Sequence, residues 1–296
     1  MKRWQKALLV IAALLLVAGA ALQAFRVSLG KVNVPKFEKI AEGTYAYSDG
    51  MNQSNIYLVL GDERAALIDT GNGLSDLPAG IEEITDLPVI VINTHGHYDH
   101  IHGNYFFDTV YMPATDDEVF QRHITVEEIE RQMQNVSPFI RWFMKYQMET
   151  IESVPVKTDY IPLPDEGYID LGNRKLEFIE LPGHTPGSTA YLDRATGELF
   201  CGDAITSSGV LLTLQESLPI STYIETLDYL QSLVDEGTVK SMYSGHGAFV
   251  METDIIQSMK SGCEDILAGN ISDEERENHA YSVDGRFIKW SDETLR

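Results

Sequence analysis

The sequence predicts a layered α/β protein: one folded domain behind an apolar N-terminal segment. Three observations carry that expectation. β-rich runs alternate with helical ones along most of the chain. The buried run "VIVIN" (89–93) empties directly into "THGHYDHIHG" (94–103), which holds four histidines and an aspartate. Such a polar cluster, just past the carboxyl end of a buried strand, is where active sites gather in layered α/β proteins. The 296 residues, 44% hydrophobic, are enough for one sizeable core.

The chain opens on Lys2, Arg3 and Lys6, followed by "ALLVIAALLLVAGAAL" (7–22) with no charged residue. Basic then apolar reads as an export signal or a membrane anchor over residues 1–25. Ala18-Gly19-Ala20 offers a small-x-small cleavage site, whereas the apolar run extends to Phe25 with only Gln23 interrupting it. Both versions place the remainder outside the cytoplasm, membrane-anchored or secreted. Residues 26–36 read as a tether into a domain spanning 37–296.

Strands follow at "TYAYS" (44–48), "NIYLVL" (55–60) and "AALIDTG" (65–71), separated by Gly, Asp and Asn. Residues 115–150 read as mostly helical, an insertion in which Ser137-Pro138 supplies an N-cap and first-turn proline for "FIRWFMKYQM" (139–148). Strands resume at 175–181, 188–193 and 198–203, a helix at 222–233, and a strand at 239–243 that runs into "SGHG" (244–247). A helix over 252–268 and a hairpin turning at Asp284-Gly285 complete the pattern. Cys201 and Cys263 are too few for a disulfide framework and are expected unpaired. The formal charge of −23, from 45 acidic and 22 basic residues, leaves no basic footprint for phosphate backbones and excludes nucleic acid as a partner. "SDEERE" (272–277) reads as a solvated patch.

The histidine cluster has its own geometry. His95, His97, Asp99 and His100 are offset by two, two and one, which suits a loop leaving a strand rather than one face of a helix. Such a loop could feed two adjacent metals, and three further strand ends offer ligands: His184 in "LPGHTPGS", Asp203 in "FCGDA" and His246 in "YSGHG". Five of the eight histidines therefore sit in strand-end turns with small neighbours, where metal and substrate can approach the backbone.

With "LIDTG" (67–71), "THGHYDH" (94–100), "GHTPGS" (183–188), "CGDA" (201–204) and "SGHG" (244–247), the chain resembles the metallo-β-lactamase-fold hydrolases across nearly all of 38–250. The resemblance implies a four-layer αβ/βα sandwich with a binuclear site at one edge. It implies that His95, His97 and His184 bind one metal, that Asp99, His100 and His246 bind the second, and that Asp203 bridges them. It also implies that Asp99 helps protonate the leaving group. Neutral imidazoles with two carboxylates suit two divalent ions, zinc first, with room for Fe or Mn. Two metals about 3.5–4 Å apart can hold a bridging hydroxide as nucleophile and polarise a carbonyl. Asp69 ends its own strand nearby, either supporting a ligand or the histidine loop, or as a simple turn residue. His102 stands where the family more often has a small residue and is expected at a helix start facing solvent. His123 and His279 are expected at the surface.

Substrate choice is less legible, because one fold hosts many chemistries. Asp203, where some true β-lactamases carry Cys or Ser, favours a small-molecule ester, thioester or lactone. The alternatives are β-lactamase activity or an iron-dependent, sulfur-dioxygenase-like oxidoreductase; a binding protein without catalysis is a distant third. The tail after His246 has only scattered Lys and Arg, which weakens a glutathione-thioester reading. "FIRWFMKYQM" has more apolar residues than one stripe uses, so Trp142 and Tyr146 are expected either to lid the active site, or rest on a membrane, or to seal the sandwich. Oligomeric state is not legible.

Overall fold

Alternation within the strands decides the layers. The computed structural model describes residues 3–29, 32–50, 53–125, 131, 134 and 137–295, with side chains of the N-terminal helix from Leu14 to Ser28. Among these, the first sheet carries β1 (Glu38–Ala41), β2 (Thr44–Asp49), β3 (Ser54–Leu60), β4 (Ala65–Ile68), β5 (Val89–Ile92), β6 (Val110–Met112) and β7 (Ile161–Pro162), side by side in chain order. Pairing is antiparallel up to β4 and parallel from β4 to β7. The second sheet contains β8 (Tyr168–Asp170), β9 (Lys175–Glu180), β10 (Thr189–Asp193), β11 (Glu198–Phe200), β13 (Ser241–Tyr243) and β14 (Val250–Met251), in the order β14-β13-β11-β10-β9-β8. A third, small sheet joins β12 (Gly209–Leu212), β16 (Arg286–Trp290) and β15 (Ala280–Val283).

On β3, Tyr57 and Val59 point between the two large sheets, where they meet Leu176, Tyr191 and Phe200. Ile56 and Leu58 point the other way and pack on Leu77 and Ile81 of α2 (Leu77–Glu82). The second sheet repeats the device. Leu192 and Leu199 face outward onto Tyr223 and Leu227 of α6 (Ile220–Asp235) and Met259 and Cys263 of α7 (Ile255–Ala268). Helix, sheet, sheet, helix is the expected four-layer order, and the central strands β3, β4, β10 and β11 are buried on both faces because both are covered. Truncating a fully buried residue such as Leu58 to Ala should cost about 2–5 kcal/mol.

The remaining helices are α1 (Arg3–Leu29), α3 (Tyr98–Ile101), α4 (Asp117–His123), α5 (Pro138–Ser153) and α8 (Asp273–Asn278). Ser137 caps α5 by accepting from the Ile140 amide at 3.3 Å, and the helix stops where extended Val154 precedes Pro155. "SDEERE" forms the short α8, closed by a Ser272–Glu275 capping box and burying nothing. α1 runs through Leu29, past the expected segment end at 25, and Arg26 within it is buried. The basic side chains at 2, 3 and 6, and much of 126–136 in the expected insertion, lie outside the described residues. Among the described residues, no helix is long and apolar enough to cross a membrane. Cys201 and Cys263 are both free and buried.

Candidate metal centre

β4 and β5 are parallel, as are β11 and β13, so their carboxyl ends lie along one edge of the sandwich. Asp69 follows β4, the 94–100 loop follows β5, Asp203 follows β11, His246 follows β13, and His184 lies in the turn entering β10. Two tyrosines tie these loops together through the core. The Tyr57 hydroxyl, from the first sheet, donates to the Ser244 carbonyl at 2.6 Å. The Tyr191 hydroxyl, from the second, donates to the Asn93 carbonyl, also at 2.6 Å. Small residues let the loops close up: a Cβ at Gly245 would sit 2.2 Å from Asp203 Oδ1.

Three imidazoles converge. His97 Nδ1 lies 3.0 Å from both His95 Nε2 and His184 Nε2. Each outer nitrogen is committed to an oxygen. His184 Nδ1 donates to the Leu211 carbonyl at 2.7 Å, and His97 Nε2 to Glu216 Oε1 at 2.7 Å. His95 Nδ1 donates to Thr94 Oγ1 at 3.0 Å, since that hydroxyl gives its own proton to Asp69 Oδ2 at 2.8 Å. With every outer nitrogen protonated, three lone pairs face one another. Burial, then the neighbouring imidazoles, lowers the pKa of His95, and burial holds His97 down at about 3. Three imidazole nitrogens converging in this way form a candidate cation site.

A second group adjoins it. His100 Nδ1 donates to Asp69 Oδ2 at 2.8 Å, which turns His100 Nε2 toward His246 Nε2 at 3.2 Å and Asp203 Oδ1 at 3.4 Å. His246 Nε2 lies 3.3 Å from Asp99 Oδ2 and 3.2 Å from Asp203 Oδ2. Asp203 Oδ2 also reaches within 3.7 Å of His184 Nε2, so this carboxylate touches both groups. Its Oδ1 is buried and makes no well-formed hydrogen bond, only the 3.4 Å ion pair with His100, so it could still ligate a cation. Burial opposes charge at His100, yet Asp203, Asp69 and Asp99 outweigh it and raise its pKa to about 10. Asp69, in the left-handed region at φ 61°, also accepts the Thr94 amide at 2.7 Å and so orients both the loop and His100.

A cavity of about 390 Å³ opens onto both groups. His97, Asp99, His184, Asp203 and His246 form its polar floor, while Tyr98, Val210, Leu211, Leu214 and Phe287 form an apolar wall.

A superfamily profile matches residues 49–236, described as the Metallo-beta-lactamase superfamily. The chain belongs to the metallo-β-lactamase superfamily. It is similar to the acyl-coenzyme A thioesterase MBLAC2 of Homo sapiens, 31% identical over 217 residues that cover 68% of this chain and 75% of that protein. It also resembles the hydroxyacylglutathione hydrolase GloC of Haemophilus influenzae, 27% identical over 53% of this chain and 69% of that one. Among solved structures, a metallo-beta-lactamase family protein from Thermus thermophilus superposes with a TM-score of 0.57 at 21% identity, covering 78% of this chain and 82% of that one. This superfamily member is a metal-dependent hydrolase, and the family's divalent metals have their counterpart here in the His/Asp clusters.

The structure brings all seven expected ligands, and Asp69, to one edge. It does not bring Trp142 and Tyr146 there. Both face α1, where Arg26 lies 3.5 Å over the Trp142 ring and Gln23 donates to the Tyr146 hydroxyl at 2.6 Å. Only the inner face of α5 nears the cavity, with Met148 and Ile151 packed by Leu74 and Tyr98. Two further expectations are corrected. His102 is buried, because the turn after α3 folds inward with its ring edge-on to Tyr98; burial holds it at about 4. His123 is buried too, since α4 lays it against His97 with ring centroids 4.5 Å apart. His279 stays partly exposed, paired with Asp292 at 3.0 Å.

Two residues were missed. Glu216 receives His97, His123 (3.2 Å) and Arg122 (3.2 Å), and the two histidines hold its carboxyl well below the usual range despite burial. Asp116 accepts the Gly96 and Gly187 amides, both at 2.7 Å, locking the 95–97 loop to the His184 turn. Neither lies in a recognisable motif; as two acids among 45 they carry no local signal.

Proposed function

We propose that this hydrolase cleaves small acyl thioesters with two divalent metal ions, mainly zinc. One observation carries the reading: two ligand groups share Asp203 and open into a single cavity with an apolar wall. His95, His97 and His184 would hold one ion; Asp99, His100 and His246 the second; Asp203 both. Ions held there supply Lewis acidity and a water-derived nucleophile at neutral pH.

The chain's own residues account for the rest. Asp69 and Glu216 fix the tautomers of His100 and His97. Val210, Leu211, Leu214 and Phe287 receive the acyl portion and keep water from it. Asp99 Oδ2 faces the cavity, accepts from Ser54 Oγ at 3.2 Å, and is placed to pass a proton to the departing atom. A thiol of pKa near about 8.5 leaves with little such help, whereas an amide nitrogen needs it fully. The thioester-cleaving activities of the two relatives, an acyl-coenzyme A thioesterase and a hydroxyacylglutathione hydrolase, favour a thioester over a lactam. The basic-then-apolar N-terminus supports an enzyme working outside the cytoplasm; cell fractionation finding full-length protein free in the cytoplasm would refute that part.

The main test pairs elemental analysis with a panel of acyl thioesters of increasing chain length, a lactone, a phosphodiester and a chromogenic lactam. Two ions per active chain and fastest turnover on thioesters are expected. A single ion in fully active protein, or preference for the lactam or phosphodiester, overturns the reading.

A further inference from the structure

α1 and α5 form a pair that the chemistry does not use. They meet near the end of α1. The Arg26 guanidinium stacks on Trp142 and donates to its carbonyl, Gln23 reaches Tyr146, and Phe25 lies 6.2 Å from Phe143. Arg26 is only 3% exposed, so this junction is packed structure and α1 is part of the fold.

Outward from the junction the surface is apolar. Leu14, Leu15, Leu16 and Val17 are 63%, 68%, 75% and 67% exposed. Four consecutive residues span more than a full turn at 3.6 residues per turn, so α1 is apolar on every side at this turn. A protein groove covers one face of a helix; a helix that is apolar all round needs a surrounding apolar medium. α5 continues the surface with Phe139, Ile140 and Trp142, 69%, 42% and 44% exposed.

Charge points to the same occupant. In a chain of net charge −23, α1 carries Arg3, Lys6 and Arg26 and no acidic residue, while α5 is balanced, with Arg141 and Lys145 against Glu149 and Glu152 and Lys145 3.5 Å from Glu149. Aliphatic residues with an aromatic and basic fringe complement the acyl–headgroup boundary of a bilayer. We infer that α1, retained on the mature chain, and the exposed face of α5 dock the folded domain on a phospholipid bilayer, with the Arg26–Trp142 junction at headgroup level. The inner face of α5 packs with Tyr98, which lines the cavity, so the docked helix holds the active-site wall near the membrane surface.

The test uses full-length protein bearing a nitroxide on Ile140→Cys, an exposed position; both native cysteines are buried. A label on Ser272→Cys, at the solvated cap of α8, is the control. On mixed phosphatidylcholine–phosphatidylglycerol vesicles, oxygen accessibility relative to a water-soluble nickel complex should rise severalfold at 140 and not at 272. Arg26→Gln should reduce that rise while the protein still floats with the vesicles through α1. An aqueous profile at 140 in vesicle-bound protein overturns the proposal. So does immobilisation of the label by self-association without lipid, which would make a second copy the occupant. An unchanged rise in Arg26→Gln removes the junction from it.

Discussion

The two halves of the metal centre are built differently. His95, His97 and His184 are 1%, 4% and 2% exposed and fixed from behind by Thr94, Glu216 and a backbone carbonyl. The adjoining group is rich in carboxylate and opens to the cavity, with the side chains of His246 and Asp99 20% and 14% exposed. A deep all-nitrogen site holds an ion by pre-organised lone pairs, whereas a shallow mixed site holds it by charge. The first should therefore lose its metal last.

Asp203→Ala attacks what the halves share. It should lose both ions together and lower kcat/KM by about three orders of magnitude, the scale of several kcal/mol of charge stabilisation. Metal analysis of purified variant protein checks this, and retention of one full equivalent would show that Asp203 serves one half only. Asp69→Asn separates the halves, because it removes the acceptor of His100 Nδ1. Metal affinity should fall about 10–100-fold in the second half and little in the first, readable as a split in two-step chelator titrations.

Glu216→Gln is the mirror experiment, with an effect near the lower end, about tenfold on the first half. Equal weakening of both halves would mean that Glu216 supports the loop as a whole. Smallest is Phe287→Ala on the apolar wall. It should leave metal content intact and lower kcat/KM for long acyl thioesters by about 1 kcal/mol, roughly fivefold, with short ones less affected. Trp142→Ala, turned toward α1, should barely change either; a large change would restore α5 as a lid.

The seven candidate ligands and Asp69 could be picked out because each sits at the end of a β-rich run, and period-two strands followed by small-residue turns are local patterns. The helix at 138–153 was legible from its cap, but its neighbour was not, since an overly apolar helix looks the same against a substrate, a core or another helix. Burial of His102 and His123 was unreadable for the same reason: each depends on which surface a short turn or helix is folded against.

By itself, then, the sequence determined the alternation of elements, the strand ends that carry the candidate ligands and the apolar N-terminus. Only the tertiary structure decided that Glu216 meets His97 across 119 residues, that Asp116 clamps two loops, that Phe287 from the last strand walls the cavity, and that Arg26 binds Trp142. Periodicity and capping act over a few residues and leave a mark on the local chain. A single long-range contact leaves none, because any one of many acids could fill it until packing brings two surfaces together.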